Sequence, residues 1–465
     1  MVRTKDQFLK DVANRKCEIY FRGRRLSTVL EDEDLKYAAY HTARLFEYPK
    51  RTYFDESLNL EISKYYKIPR SSHDLLERHL LIYDNTIFGY GLFNISQAIG
   101  SDALFALLIV SKMIDKKYGT DYYSRVWRYY QDVVRGDLTI AVAQTDVKGH
   151  RKKRPFEQPD SDLYLRVVET KSNGIVVRGA KAHTTHSVAV DEIIVLPTRA
   201  MSPNDKNYAV AFAIPVDTPG LKLIVRETGR VSRTYIGRKE GVEPETLTVF
   251  DDVFVPWDRV FMYGEYDYAG LLAITFATYH RFTAVSYRAA LANLYLGAAY
   301  KMAEANGVLD AKHIRDDILE IVIYKEIQRM GALAAAMYPL IQEGIAIPNP
   351  VYTNIAKLYS NSKFSDVLKA VVDVAGGIIA TFPTYEDLQN EITRKYVSKY
   401  MQAAIDGERR IKLIELLRDL VVIGGGWYLT TMMHAEGSME ASKLELFRSY
   451  DYKEALELVE RLLEE

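Results

Sequence analysis

"LYLRVVETKSNGIVVRGAKAHTT", residues 163–185, is two alternating runs joined by "KSNG". Alternation with a period of two sends successive side chains to opposite faces of a strand. The Asn173-Gly174 pair is a hairpin signal, since both residue types tolerate a left-handed backbone. The stretch therefore predicts a β-hairpin, and its neighbours extend the texture in both directions. Further β runs follow in "DEIIVLP", "NYAVAFAIPV", "LKLIVRET" and "TLTVFDDVFVP", so strands are expected from 138 to 262.

Outside that window the period changes. "EDEDLKYAAYHTARLFEY" and "SDALFALLIVSKMIDKKYG" place apolar residues three and four apart, which makes residues 1–137 an expected N-terminal helical domain. From 263 to 465, "AVSYRAALANLYLGAAYKMAEA", "IRDDILEIVIYKEIQRMGALAAAMY", "FSDVLKAVVDVAGG" and "ERRIKLIELLRDLVVIGGG" predict a C-terminal bundle of long helices. The fold class expected is α+β: helical domain, central β domain, helical bundle. There is no short-period repeat and no low-complexity stretch.

The chain has 465 residues, 48% of them hydrophobic, enough for a large core and two or three domains. Lys and Arg number 61 against 62 Asp and Glu, a net charge of −1, which argues against a nucleic-acid partner. Cys17 is the only cysteine, so no disulfide and no multi-cysteine metal site can form within one chain. The charged start "MVRTKDQFLKDVANRK" has no secretory pattern, and the longest apolar run, "ALFALLIV" at 103–110, is far too short to span a membrane. The expectation is a soluble, cytoplasmic protein.

"AQTDVKGHRKKRP", 143–155, ends in a run with four cations in five positions, 150–154. Such a run is a solvated turn, a nucleic-acid patch or a cradle for a phosphate; overall neutrality favours a small anion over a polymer. "GAKAHTTHS", 179–187, carries two histidines but no cysteine or carboxylate at ligand spacing, so no metal is expected there.

Helices, β domain and bundle in this order are the layout of the acyl-CoA dehydrogenase-like flavoproteins. "QTDVKGHRKKRP", "NGIVVRGAKAHTTHS", "VFDDVFVPWDRVF", "YHRFTAVSYR" and "DVAGGIIATFPT", in that order, resemble the family that joins 4-hydroxyphenylacetate 3-monooxygenase with 4-hydroxybutyryl-CoA dehydratase. The resemblance runs from about residue 5 to about 445, and two of the motifs lie nearer the dehydratase branch. It implies FAD, with Gln144, Thr145, Lys148, Gly149 and Arg151 beside it and Thr184 and Thr185 near flavin and thioester. It also implies that Asp373, Gly376 and Gly377 approach the adenosine part of FAD from a neighbouring subunit, in a homotetramer or dimer. A hydroxyl and an amide suit the isoalloxazine edge, and cations suit a pyrophosphate.

The departures are as informative. The resemblance places cluster cysteines at Asn94, Ala98 and Tyr287, leaving only His280, so no iron–sulfur cluster is expected. The carboxylate near the C-terminal end becomes Thr431, with Glu436 aligning elsewhere, whereas Glu245 is retained. On the monooxygenase side, "GYGLFNI" holds Tyr90 and Asn94 but no arginine, and Ile140 replaces the catalytic histidine. His280 and Glu245 remain as an imidazole and a carboxylate able to move a proton α to a thioester. Three readings stay open. The chain is a cluster-free FAD enzyme isomerising or oxidising a short acyl-CoA, a phenol hydroxylase fed reduced FAD by a partner reductase, or a non-catalytic flavoprotein relative.

Overall fold

The computed structural model describes residues 2–226, 243–423 and 425–464. Glu227 and Thr228, the end of the "LKLIVRET" run, and Gly424 lie outside the described residues. Five helices come first: α1 (Lys5–Asn14), α2 (Lys36–Leu45), α3 (Ser72–Phe88), α4 (Ala98–Tyr118) and α5 (Tyr122–Gly136). Strands follow from β5 (Ile140–Ala143) to β12 (Val260–Tyr263). The chain then stays largely helical, led by α6 (Tyr266–Asn306), α7 (Lys312–Met337) and α8 (Pro350–Ala375). No helix among the described residues is long and apolar enough to cross a membrane.

Two sheets make up the β region. The larger joins β1, β2, β6, β7, β10 and β11, whose ranges follow, in the order β2-β1-β10-β11-β7-β6; the smaller runs β12-β9-β8-β5, with β8 at Glu192–Val195 and β9 at Val210–Pro215. β6 (Arg166–Lys171) and β7 (Gly174–Thr185) form the hairpin, but the loop is Ser172-Asn173, because Lys171 already pairs with Gly174. Gly174 is needed for another reason: a Cβ there would lie 2.2 Å from the carbonyl oxygen of Val255 on the next strand, β11 (Glu245–Pro256). The helical reading of the first 137 residues passed over β1 (Ile19–Phe21) and β2 (Arg24–Leu26). β1 pairs in parallel with β10 (Leu221–Val225), Ile19 opposite Leu223, so the larger sheet is completed from the start of the chain. Two three-residue strands are too short to show a period; only a distant partner stabilises them.

Buried ion pairs tie helices to sheets. Arg51, 2% exposed, holds Asp137 with 2.7 and 2.8 Å contacts. Arg3 and Arg15 both bind Asp191, which in turn caps Thr139 at the head of β5. Removing one partner of such a pair strands a buried charge, at a typical cost of about 3–5 kcal/mol.

In the bundle, α6 and α8 run side by side in the same direction. Arg281 meets Asn354, Arg288 meets Asn361, and Tyr295 packs on Phe364. α7 returns antiparallel between their ends, with Tyr324 on Ser360 and Gln328 on the Ala356 carbonyl. This fixes which residues of α6 share a level with the C-terminal segment.

Candidate active site

The floor of the site is where β7 ends and β11 begins. Across this ladder the register slips between Thr246 and Thr248, and His183 takes a left-handed backbone (φ 57°). A bulge of this kind re-aims side chains beside functional sites. Thr184 is fully buried, its hydroxyl accepting from Thr248 at 2.9 Å, so it faces the sheet interior. Thr185, one residue on, is half-buried and donates to the Glu245 carboxylate at 2.9 Å.

The 144–151 loop runs along one edge. Lys181, buried within β7, fastens it by donating to the Gln144 carbonyl (2.9 Å), Asp146 (2.6 Å) and the Leu196 carbonyl (3.0 Å). Sequence reasoning missed this lysine, although a cation inside an alternating strand could have marked it. The Gln144 amide reaches the Ala273 carbonyl of α6 at 3.2 Å, and Thr145 is half-buried. Gly149 has φ 44°, and a Cβ there would meet Gln158 Oε1 at 2.6 Å, so the turn requires glycine. Lys148, Arg151 and Arg199 gather nearby: partial burial, then Arg151, pushes the Lys148 ammonium down against the pull of Asp146, with Arg199 acting the same way as Arg151. Desolvation and Lys148 likewise lower His183. A cluster of cations with so little opposing charge suits an anion. Arg154 is different, being spent on Asp205 at 2.9 and 2.8 Å, while Lys152 and Lys153 are exposed.

The helical wall stands opposite. His280 Nδ1 lies 3.4 Å from Asp102 Oδ2, and Asp102 is fully buried on α4 between Arg78 (2.6 Å) and Thr283 (3.1 Å). Nδ1–H donated to this carboxylate leaves Nε2 with its lone pair. One turn earlier, the Phe276 ring stacks on the imidazole at 5.3 Å and 12°. The sequence reading set Glu436 aside, and the geometry corrects that. Glu436 sits in a left-handed turn (φ 55°), accepts from the Tyr287 hydroxyl at 2.8 Å and pairs with Arg288 at 2.5 Å. Its backbone carbonyl accepts from Arg281 (3.1 Å), and that of Gly437 from Lys357 (2.8 Å). Burial opposes its ionisation, but Arg288 and then His280 hold the Glu436 carboxyl below its ordinary value. The same surroundings, burial first, press the Lys357 ammonium down to about 7.

Tyr287 stacks on Phe93 with centroids 4.6 Å apart and planes 8° from parallel. Asn94 spends its amide on the His41 carbonyl (2.6 Å) and its oxygen on Ser96 (2.6 Å). Ala98 is fully buried in α4, while Tyr90 is exposed and Ile140 is buried in β5. Cys17 belongs to the β-sheet core, where burial raises its thiol to about 11. An aromatic stack and a spent amide offer no thiolate, so these residues do not fit an iron–sulfur cluster.

The strand side also carries the carboxyls of Glu243, just before β11, and Glu245, its first residue. Burial pushes Glu245 up to about 7, against Thr185, Arg226 and His280, which favour its ionised form. Burial, then Glu245 and Glu436, pushes Glu243 up to about 8. One oxygen of each, Glu243 Oε1 and Glu245 Oε2, is buried without a hydrogen-bond partner among the described residues. No three carboxylates, imidazoles or thiols among the described residues converge as a metal site.

Asp373, Gly376 and Gly377 are elsewhere. They end α8, whose Asn354 shares a level with Arg281; the 22 residues from there to Gly376 span about 33 Å at the helical rise. Gly376 has φ 68° and both glycines are exposed, open enough that a Cβ would meet nothing within 4 Å. Asp373 neighbours Asp317, whose carboxyl rises to about 6 through desolvation and then the proximity of Asp373.

The whole chain matches known sequences. Residues 4–262 match the model of the 4-hydroxyphenylacetate 3-hydroxylase N-terminal region, and 269–464 that of its C-terminal region. The chain belongs to the 4-hydroxyphenylacetate 3-hydroxylase family. It is 28% identical over 490 aligned residues to 4-hydroxybutyryl-CoA dehydratase/vinylacetyl-CoA-Δ-isomerase of Clostridium aminobutyricum, covering 99% of each. It is 25% identical to the oxygenase component of 4-hydroxyphenylacetate 3-monooxygenase of Thermus thermophilus, covering 92% of this chain and 90% of that one. Family members of both kinds are thus enzymes. The fold superposes on an oxygen-tolerant 4-hydroxybutyryl-CoA dehydratase from N. maritimus with a TM-score of 0.93 at 26% identity, covering 100% and 95% of the two chains. A family oxygenase complexed with FAD and 4-hydroxyphenylacetate gives 0.90 at 22%, covering 100% and 98%. Glutaryl-coenzyme A dehydrogenase gives 0.50 at 14%, covering 82% and 80%, so the α+β architecture is acyl-CoA dehydrogenase-like.

Proposed function

We propose that this family member binds FAD and moves the α-proton of a short acyl-CoA, isomerising its double bond or exchanging electrons at the α and β carbons. The observation that carries the reading is His280, held by Asp102 on one side, with Glu436 and Glu245 within electrostatic reach on the other. Three parts of the chain contribute: 1–137 supplies Asp102, 138–262 the flavin-side loop and Glu245, and 263–465 His280 and Glu436.

Gln144, Thr145 and Gly149 would lie along the flavin, and Lys148 and Arg151 would meet its pyrophosphate. Thr185 would face the reacting end, with Thr184 supporting it from inside the sheet. Bound FAD would supply a two-electron acceptor and donor. The chain's own residues would handle the proton: Nε2 of His280 accepts it from the α-carbon, Asp102 fixes the tautomer, and Glu245, within electrostatic reach of His280, returns a proton. Cluster chemistry is no part of the proposal, because the Phe93–Tyr287 stack and the bonded Asn94 stand where thiolates would be needed. Gly376 and Gly377, exposed about 33 Å along α8 from the level of Arg281, would serve the flavin of another copy in a dimer or homotetramer.

The test is a visible spectrum of the purified protein with added FAD, followed by α-proton exchange of C4 acyl-CoAs in deuterated water. Bound flavin and exchange are expected; no exchange across the series would overturn the reading. The aromatic wall of Phe93 and Tyr287 favours one alternative, a phenol hydroxylase receiving reduced FAD from a reductase. Oxygen uptake dependent on a phenol and on reduced flavin would establish it instead.

A further inference from the structure

Glu243 lies just before β11, and its position is fixed from behind. Pro244, the next residue, accepts from the backbone N–H of His186 at 2.7 Å through its carbonyl. Its carboxyl faces Glu245 on its own segment, Arg226 beyond β10, Glu436 from the C-terminal turn and His41 from α2. Glu243 Oε1 is 3.9 Å from His41 Nε2, but that N–H is committed to the Phe93 carbonyl at 3.0 Å. No hydrogen bond reaches this oxygen from the described residues, although it is buried.

Glu245, two residues on, is placed differently. It accepts a 2.9 Å hydrogen bond from Thr185, which favours its charged form. Two neighbouring carboxyls with separated surroundings divide the tasks of acid and base. Two carboxylates (Glu245 and Glu436) already face Glu243, so a third negative charge would be repelled by both.

We propose that Glu243 acts as a neutral carboxylic acid that donates its O–H to the carbonyl oxygen of a thioester substrate. This rests on the acyl-CoA reading above and adds to it the group that stabilises the enolate. In the step, the Cα–H bond breaks and the proton goes to His280 Nε2. The Cα–H electron pair becomes the Cα=C bond of the enolate and the carbonyl π pair moves onto oxygen, which Glu243 holds by a hydrogen bond without giving up its proton. Exchange is the same path reversed, with a deuteron on His280. Electrons balance without an oxidant. A donor already aimed at the developing charge needs no reorganisation when it forms.

The experiment combines two substitutions with a pH profile. Glu243→Leu removes the donor, and α-proton exchange should fall by about 100- to 1,000-fold, as for loss of one oxyanion donor. Glu243→Gln keeps a weaker N–H donor and should fall by about tenfold or less. The parent's exchange should decline above pH about 8 as Glu243 ionises, and Glu243→Gln should lose that decline. An unchanged rate in Glu243→Leu, or an unchanged alkaline limb in Glu243→Gln, would overturn the proposal. Infrared difference spectra of substrate-free parent minus Glu243→Gln at pH 7 give an independent reading. A protonated-carboxyl C=O band is expected, and its absence would refute the neutral acid even if Glu243→Leu fails to fold. If the parent shows this band but no exchange with any acyl-CoA, the acyl-CoA reading fails, and this donor role with it.

Discussion

On the helical side of the site, Asp102 receives hydrogen bonds from Arg78 and Thr283, and Glu436 from Tyr287 and Arg288. On the strand side, Glu243 and Glu245 each keep a buried oxygen with no partner among the described residues. The same functional group is thus saturated on one wall and open on the other. A saturated carboxylate is locked in place and holds geometry. An open one in a dry site has unmet hydrogen-bonding capacity, which a substrate can meet. On the function proposed above, the first wall would be scaffold for His280, and the second would meet the ligand.

The strongest attack on this contrast is His280→Gln. It leaves both walls standing and removes the base, so exchange should fall by about 100- to 10,000-fold while thermal unfolding stays near the parent's. Exchange that survives would mean the helical wall scaffolds nothing chemical. Arg288→Met attacks the scaffold instead: it leaves Glu436 buried without its ion-pair partner, and urea denaturation should show a loss of about 3–5 kcal/mol. Adding Glu436→Gln to it should recover part of that loss.

Acidity sharpens the strand side. Glu243 has a folded value near 8 against an ordinary 4.5, so the folded state binds the extra proton. Its contribution to stability is full below pH 4.5 and is lost as pH rises through about 8. Lys357, lowered to about 7 from 10.5, works in the opposite sense over pH 7 to 10.5. Parent minus Glu243→Gln therefore isolates the carboxyl: the substituted protein should gain relative stability between pH 5 and 9. A flat difference would mean that Glu243 is charged throughout.

The basic run offers two smaller tests. Lys148→Gln should weaken FAD binding by roughly tenfold in a fluorescence titration, the loss of one charge-assisted contact. Lys152→Gln with Lys153→Gln should change neither FAD affinity nor stability beyond about 0.5 kcal/mol, since both are exposed.

Much of this was readable in the chain. The switch from three- and four-residue spacing to alternation located the strands, and "YHRFTAVSYR" carried His280. What escaped depended on distance or on backbone shape. β1 has no period of its own and is defined by Leu223 and its neighbours. Glu436 was passed over because alignment compares positions along a line. Its carboxyl reaches the wall only because residues 436 and 437 both turn left-handed; the "EG" step after a helical run was the available sign. Asp102 is a charge at the head of an apolar run, and the sequence reading gave it no role. Glu243 had no motif. Its surroundings, two carboxyls and a committed histidine, join its own segment to two distant ones, at His41 and Glu436.

The parallel pairing of Ile19 with Leu223 also imposes an order on biosynthesis. The edge of the larger sheet leaves the ribosome first, yet its seat emerges more than two hundred residues later. At about 5–20 residues per second, the nascent N-terminus waits roughly 10–40 s with its strand edge unpaired. A chaperone that holds exposed strand edges would have its longest engagement with residues 19–26.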